Sequence, residues 1–125
     1  MTGWNDTELR AIGEATELEI TSRREDGTLR PFVTIWGVHV GDDLYIRSAH
    51  GADNPWFRRA TASGTGRVRA GGVERDVTFQ KPDPGAHSGI DAAYHTKYDR
   101  YGPRIVGSVV GDHAVEATLR LAPQH

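Results

Sequence analysis

The sequence contains no cysteine in its 125 residues. That absence removes disulfides, thiolate nucleophiles, zinc–thiolate sites and cysteine-held iron–sulfur clusters together. Lysine is nearly missing as well. Of 15 basic residues only Lys81 and Lys97 are lysines, so the positive charge is almost all arginine. Genome base composition produces such a bias, and arginine's planar fork also suits phosphate and carboxylate recognition. No apolar run approaches the roughly 20 residues of a membrane span. Residues 1–6 lack the basic stretch and apolar core of a secretory signal. The expectation is a cytoplasmic protein with no membrane partner. Net charge is only −2, which argues against an obligate electrostatic partner such as duplex DNA.

What is present fits one domain over residues 1–125, large enough for a real core. An apolar fraction of 37% with 26% charged residues does not indicate disorder. Asn5 and Glu8 resemble a capping box, and Leu9, Ile12 and Ala15 fall on one stripe, predicting a helix over 5–15 that Gly13 interrupts. Leu18 and Ile20 alternate with polar neighbours as a half-buried strand does, and 23–27 supplies a turn. Residues 32–40 predict the strongest strand, turned by 41–43 into a second strand over 44–48. There Leu44, Ile46 and Ser48 share one face, and Tyr45 and Arg47 the other. A loop over 49–53 leads to Asn54-Pro55, an N-cap followed by proline at the first helical position, and a helix over 56–62. Gly71-Gly72 joins strands over 66–70 and 73–79 in a tight hairpin. Residues 81–89 read as a mobile loop. Asp91 reads as the cap of a helix reaching Tyr101, stopped by Gly102-Pro103. Residues 104–110 read as another helical turn or two, and alternation from Val115 to Leu121 predicts a last strand. The order suggests an α+β fold: a small antiparallel barrel with short flanking helices.

Chemistry concentrates in residues 47–59. They run from strand through glycine loop to helix start, where unpaired amides and a partial positive charge favour an anion. Ser48, His50, Arg58 and Arg59 add donors close by in sequence. Many helices begin this way and bind nothing. His50 has the reference pKa of a general acid or base, yet a surface histidine in a loop explains it as well. The remaining histidines are scattered, so no metal is expected. No Walker loop, nucleophile elbow or Rossmann glycine pattern is present. Arg67, Arg69 and Arg75 interleave with Glu74 and Asp76, which reads as a solvated mixed-charge face rather than a nucleic-acid ribbon. Tyr94, Tyr98 and Tyr101 lie at helical spacing, suited to packing or to stacking on a ring. Trp36 reads as core or dimer interface, and Trp56, beside the helix start, as core or ring contact.

On Leu18-Glu19-Ile20-Thr21-Ser22-Arg23, Ile35-Trp36-Gly37-Val38, Leu44-Tyr45-Ile46-Arg47-Ser48, Asn54-Pro55-Trp56, residues 69–77 and Ala92-Ala93-Tyr94, the chain resembles a bacterial family of uncharacterised proteins, domain of unknown function 2255. More distantly it resembles the split β-barrel flavin and deazaflavin proteins, including deazaflavin-dependent nitroreductases. Arg23, Gly27, Arg30 and Pro31 echo one motif of those proteins, and Ser48, Gly51, Pro55 and Trp56 echo another. The resemblance implies an FMN-binding split-barrel-like fold, FMN or a deazaflavin (F420) as cofactor, and a homodimer. It implies a cofactor phosphate at Ser48, His50, Gly51 and Asn54, assisted by Arg23, Arg47 or Arg58, with Trp56 along the ring. The cofactor would carry the redox chemistry, so no side chain is assigned a catalytic role. The pattern departs at Ser22 and Asp26, in having one glycine in the second loop, and at Arg58-Arg59-Ala60. Those departures define the alternative: a non-enzymatic module that kept the barrel, lost the cofactor and binds another small anion or metabolite. Nucleic-acid binding through the arginine hairpin ranks last.

Overall fold

The computed structural model describes residues 4–49 and 51–124. Helix α1 (Asp6–Glu14) starts as its capping residues dictate: Asn5 Oδ1 accepts the Glu8 amide at 2.7 Å. Gly13, one residue before the end of α1, packs against the His39 ring; a Cβ there would lie 2.0 Å from that ring. Leu9 and Ile12 on the buried stripe enter the main core.

Among the described residues seven antiparallel strands form one sheet. They are β1 (Leu18–Ser22), β2 (Val33–Ile35), β3 (Gly37–Val40), β4 (Asp43–Arg47), β5 (Thr65–Ala70), β6 (Val73–Gln80) and β7 (Thr118–Pro123). Their order is β2-β1-β5-β6-β7-β4-β3. The two edge strands, β2 and β3, are neighbours in sequence with only Trp36 between them. One residue cannot span an open seven-stranded sheet, because neighbouring strands lie about 4.8 Å apart. The sheet therefore curls until its edges meet, giving a nearly closed barrel with its seam at Trp36. Leu18, Ile20, Leu44, Ile46, Val68, Val77, Leu119 and Leu121 fill the main core together with α1 and two residues of α2 (Pro55–Ser63), Phe57 and Ala60. Each such side chain, fully buried, stabilises by about 1.5–3 kcal/mol.

A second core lies on the other face of β3 and β4. There α3 (His87–Tyr98) and the short α4 (Pro103–Val106) bury Val38, Tyr45, Ile90, Tyr94, Tyr98, Val106 and Val109. The alternation expected along 44–48 is realised: Leu44 and Ile46 enter the main core, while Tyr45 and Arg47 face the other way.

Four expectations need correction. The single strand over 32–40 is two strands that break at Trp36 and pair at opposite ends of the sheet order, with β1 and β4 respectively. The loop over 81–89 is shorter than expected, since a 3-10 turn (Pro84–Ala86) runs directly into α3. Asp91 is consequently inside the helix, not its cap, and α3 ends at Tyr98 with Tyr101 in a following 3-10 turn. The last strand starts at Thr118, because Val115 closes the short helix α5 (Asp112–Val115). Among the described residues no helix is long and apolar enough to cross a membrane, and no group of three or more histidines and carboxylates is placed to hold a metal ion.

Candidate functional site

Arg47 ends β4 beneath α3 with its side chain 0% exposed. Every nitrogen of its guanidinium is engaged. Nε donates to Thr118 Oγ1 at 2.9 Å, Nη1 to the Asp91 carboxylate and to the Val109 carbonyl at 2.9 Å, and Nη2 lies 3.3 Å from His87 Nδ1. The arginine thus ties β4, β7, α3 and the segment after α4 to one point. Burial and then the Arg47 charge hold the His87 imidazole below its ordinary pKa, with Asp91 opposing. A neutral His87 accepts the Arg47 proton at Nδ1. Four of the five guanidinium N–H donors are thus committed, leaving one on Nη2. Its position makes Arg47 a brace between β4 and α3.

The loop to α2 is reached from both cores. Ser48 is fully buried, and its amide donates to the Ala117 carbonyl at 2.9 Å. Gly51 takes φ +102, a conformation that strains other residues. His50 lies outside the described residues. Asn54 is the N-cap residue, but its side chain makes no capping hydrogen bond. The amides of Phe57 and Arg58 both donate to its carbonyl, at 3.0 and 3.1 Å. Pro55 has no N–H to offer. The first turn of α2 itself therefore has few free amides.

Guanidiniums stand where amides were expected. A cleft of about 880 Å³ separates the turn after β1 from α2. Arg23, Arg24 and Arg30 line one wall together with Glu25, and Arg58 and Arg59 the other. The turn is held by Asp26, whose carboxylate accepts the Thr28 amide at 3.0 Å and its hydroxyl at 2.6 Å. These two bonds keep the Asp26 carboxyl below the usual range. Arg23 donates to the Gly27 carbonyl and to Asp76. Asp76 is itself held low, chiefly by its hydrogen bond from Arg67. Arg24, Arg30, Arg58 and Arg59 have no carboxylate within ion-pair distance among the described residues. Arg30 is fixed through its backbone, which donates to Ser22 O at 3.0 Å and accepts from Thr21 Oγ1 at 2.5 Å. Its Nε is buried without a partner.

On the other side of the α2 start lies an aromatic cleft of about 320 Å³, lined by Trp36, Trp56, Asn54, Arg47, Glu17 and Ile105 among others. Trp36 stacks on Tyr98, ring centroids 3.9 Å apart and planes 6° from parallel. The tyrosine is fixed in turn: its hydroxyl donates to Thr16 O at 2.7 Å and burial pushes its pKa up. Tyr94 donates to the Trp36 carbonyl at 2.9 Å. The seam tryptophan is thus held rigidly by the tyrosine stripe. A small pocket of about 20 Å³ shares Arg30 and Arg59 with the cationic cleft and Trp56 with the aromatic one. Consecutive residues divide between them, Asn54 and Trp56 lining the aromatic cleft and Pro55 the cationic one. The first turn of α2 is the partition.

Of the residues expected at a site, the structure brings Arg23 and Arg58 to the cationic cleft and Asn54 and Trp56 to the aromatic one. Arg47 contributes to the floor of the latter, while Ser48 and Gly51 line neither. Arg24 was not singled out in the sequence, and the partners of Arg47, His87 and Asp91, lie 40 and 44 residues from it with no local signal.

A nearly closed antiparallel barrel with helices over one face and clefts at a loop–helix start is the split-barrel class. Residues 8–121 match the family described as an uncharacterized protein conserved in bacteria, DUF2255, and the chain belongs to that family. No curated protein sequence matches it significantly. Solved structures share the fold at low identity. A Listeria innocua protein provisionally assigned as a pyridoxamine 5'-phosphate oxidase superposes with TM-score 0.63 at 13% identity, covering 96% of this chain and 93% of that one. An F420 reductase does so with TM-score 0.52 at 17% identity, covering 94% of each. A FAD- and heme-binding protein from Mycobacterium smegmatis gives TM-score 0.55 at 16% identity, over 96% of this chain and 65% of that one.

Proposed function

We propose that the chain is a flavin- or deazaflavin-binding redox protein of the split-barrel type. One observation carries the reading: an aromatic cleft and an arginine-lined cleft flank the same helical turn. A ligand with a flat ring system and an anionic tail matches that pairing, ring beside Trp36 and Trp56, charge toward Arg23 and Arg58. The donor set fits such a group, since Arg24, Arg30, Arg58 and Arg59 line the cationic cleft with no carboxylate within ion-pair distance among the described residues. When bound, a flavin or deazaflavin supplies the hydride and electron chemistry.

The chain's own residues then have separable tasks. Trp56 and Asn54 contact the ring side. Arg58, Arg59, Arg30 and Arg23 hold the anion. Arg47 acts as a positioning residue, fixing the aromatic cleft's floor against α3. Ser48 and Gly51 shape the backbone that delivers the α2 start. Tyr101 and Ile105, 41% and 50% exposed, place apolar surface beside the aromatic cleft and suit it to a homodimer interface.

Absorbance and melting of the purified protein with added FMN or deazaflavin test the reading. Binding quenches tryptophan emission and raises the melting temperature, and Trp56→Ala weakens both effects. A colourless protein that neither cofactor protects from melting sinks it. A second reading, small-anion binding without redox chemistry, is favoured by the separate linings of the two clefts, which let the cationic one act alone. Stabilisation by a non-redox anion, with none by flavins, selects it.

A further inference from the structure

The arginines of the cationic cleft are not one cluster. Arg30 and Arg59 line both the cleft and the small pocket beside Trp56. Arg24 and Arg58 line the cleft but not that pocket. Each pair takes one guanidinium from the turn after β1 and one from α2, so two cation pairs stand in tandem from that pocket outward. Arg23 is set apart by its ion pair with Asp76. None of the four other arginines has a carboxylate within ion-pair distance among the described residues. The volume, about 880 Å³, far exceeds the roughly 30 Å³ that one water occupies in the liquid, and a single phosphate leaves most of it unfilled.

We infer that this cleft takes a ligand carrying two linked phosphates, the inner one between Arg30 and Arg59 and the outer one between Arg24 and Arg58. Guanidinium forks bind phosphate oxygens two at a time, so a pair on opposite walls clamps one phosphoryl group. The inner phosphate meets the guanidiniums of Arg30 and Arg59 where they line the cleft. The outer one draws Arg24 from its hydrogen-bond partners, the Thr28 hydroxyl and the Leu29 carbonyl, and from the charge of Asp26. The inference rests on the proposed function only for what lies beyond the diphosphate. Combined with it, the ligand is a ring cofactor with a diphosphate-linked tail rather than a monophosphate.

Titration of the full-length chain with inorganic pyrophosphate and with orthophosphate tests this, at low and at 0.5 M salt. Pyrophosphate binds at least tenfold tighter than orthophosphate, and its affinity falls steeply with salt. Arg58 and Arg59 are exposed, so their alanine variants leave the core intact. Arg58→Ala removes the pyrophosphate advantage and leaves orthophosphate affinity within twofold, whereas Arg59→Ala weakens both anions. Arg69→Ala, on the exposed sheet face, changes neither. Equal affinity for the two anions, or equal loss of both in Arg58→Ala, overturns the tandem arrangement. Riboflavin, which has no phosphate, is titrated separately by quenching of tryptophan emission. Pyrophosphate binding without riboflavin binding sinks the flavin reading and leaves the diphosphate cleft standing. The reverse result sinks the diphosphate cleft alone.

Discussion

Removing the carboxylate of Asp91 has a larger effect than removing the arginine it neutralises. Arg47 carries a full charge at a position with no access to water, and Asp91 is its only carboxylate partner among the described residues. Breaking a buried ion pair from one side costs about 3–5 kcal/mol, because the remaining charge stays desolvated. The Asp91 side chain is 34% exposed, so water already screens part of the interaction. That lowers the expected loss in Asp91→Ala to about 2 kcal/mol. Arg47→Met deletes the buried charge itself. It frees Thr118 Oγ1, which keeps its bond to Ala114 O at 2.7 Å, and leaves Asp91 able to reach solvent. Adding Arg47→Met to Asp91→Ala therefore restores stability by about 1 kcal/mol instead of subtracting more. Urea unfolding of the wild type, both single variants and the double variant supplies the cycle. A double variant less stable than Asp91→Ala alone, or an Asp91→Ala loss below about 0.5 kcal/mol, refutes the reasoning.

Three further outcomes follow from the same geometry. The folded state holds His87 below its ordinary 6.5, so both states are neutral above that pH and stability is full there. As pH falls below 6.5 the unfolded chain takes the proton first, and the wild type loses stability that His87→Gln retains, a difference visible in urea midpoints between pH 7 and 5. Asn5→Ala costs about 1 kcal/mol of stability, while Asn54→Ala, whose side chain caps nothing, costs less than half of that; thermal melts of the two variants rank them. Gly71→Ala places a methyl 2.2 Å from the Ala11 carbonyl at φ +58 and destabilises by more than about 1 kcal/mol, whereas Gly72→Asn, strained at φ +84 but with open space around it, costs less; guanidinium denaturation separates them.

What the sequence made legible was whatever depends on near neighbours. The Asn5 cap, the Gly71-Gly72 hairpin and the two faces of β4 are each set within a few residues, and each is present. The break at Trp36 was invisible, because alternation carries the same period on both sides of a seam and says nothing about which strand lies alongside. Asp91 illustrates a second limit. Aspartate before a helical pattern is a cap signal, but here the preceding 3-10 turn already feeds α3, and the carboxylate is required 44 residues away in sequence, at Arg47. Val115 continued an apolar alternation that a short helix interrupts, since four residues are too few to show a helical period.

The candidate site shows the same division more sharply. Asn54-Pro55 was read both as a helix start and as an anion site, yet the two readings compete. The proline that fixes the first turn has no N–H, and the Asn54 carbonyl takes the amides of Phe57 and Arg58. A helix begun this way has surrendered most of the backbone donors that would hold an anion. Positive charge has to come from side chains, and a wall of them on α2 alone would leave one flank open. The closure of the barrel supplies the other wall. Pairing of β2 and β5 on either side of β1 carries the turn after β1 to the flank of α2, where Arg24 and Arg30 face Arg58 and Arg59. The same closure sets Trp36 at the seam, on the far side of that helix start. An aromatic wall and an arginine wall are thus brought together by topology, not by any motif, and their spacing is fixed as long as Tyr98 and Arg47 hold α3 in place.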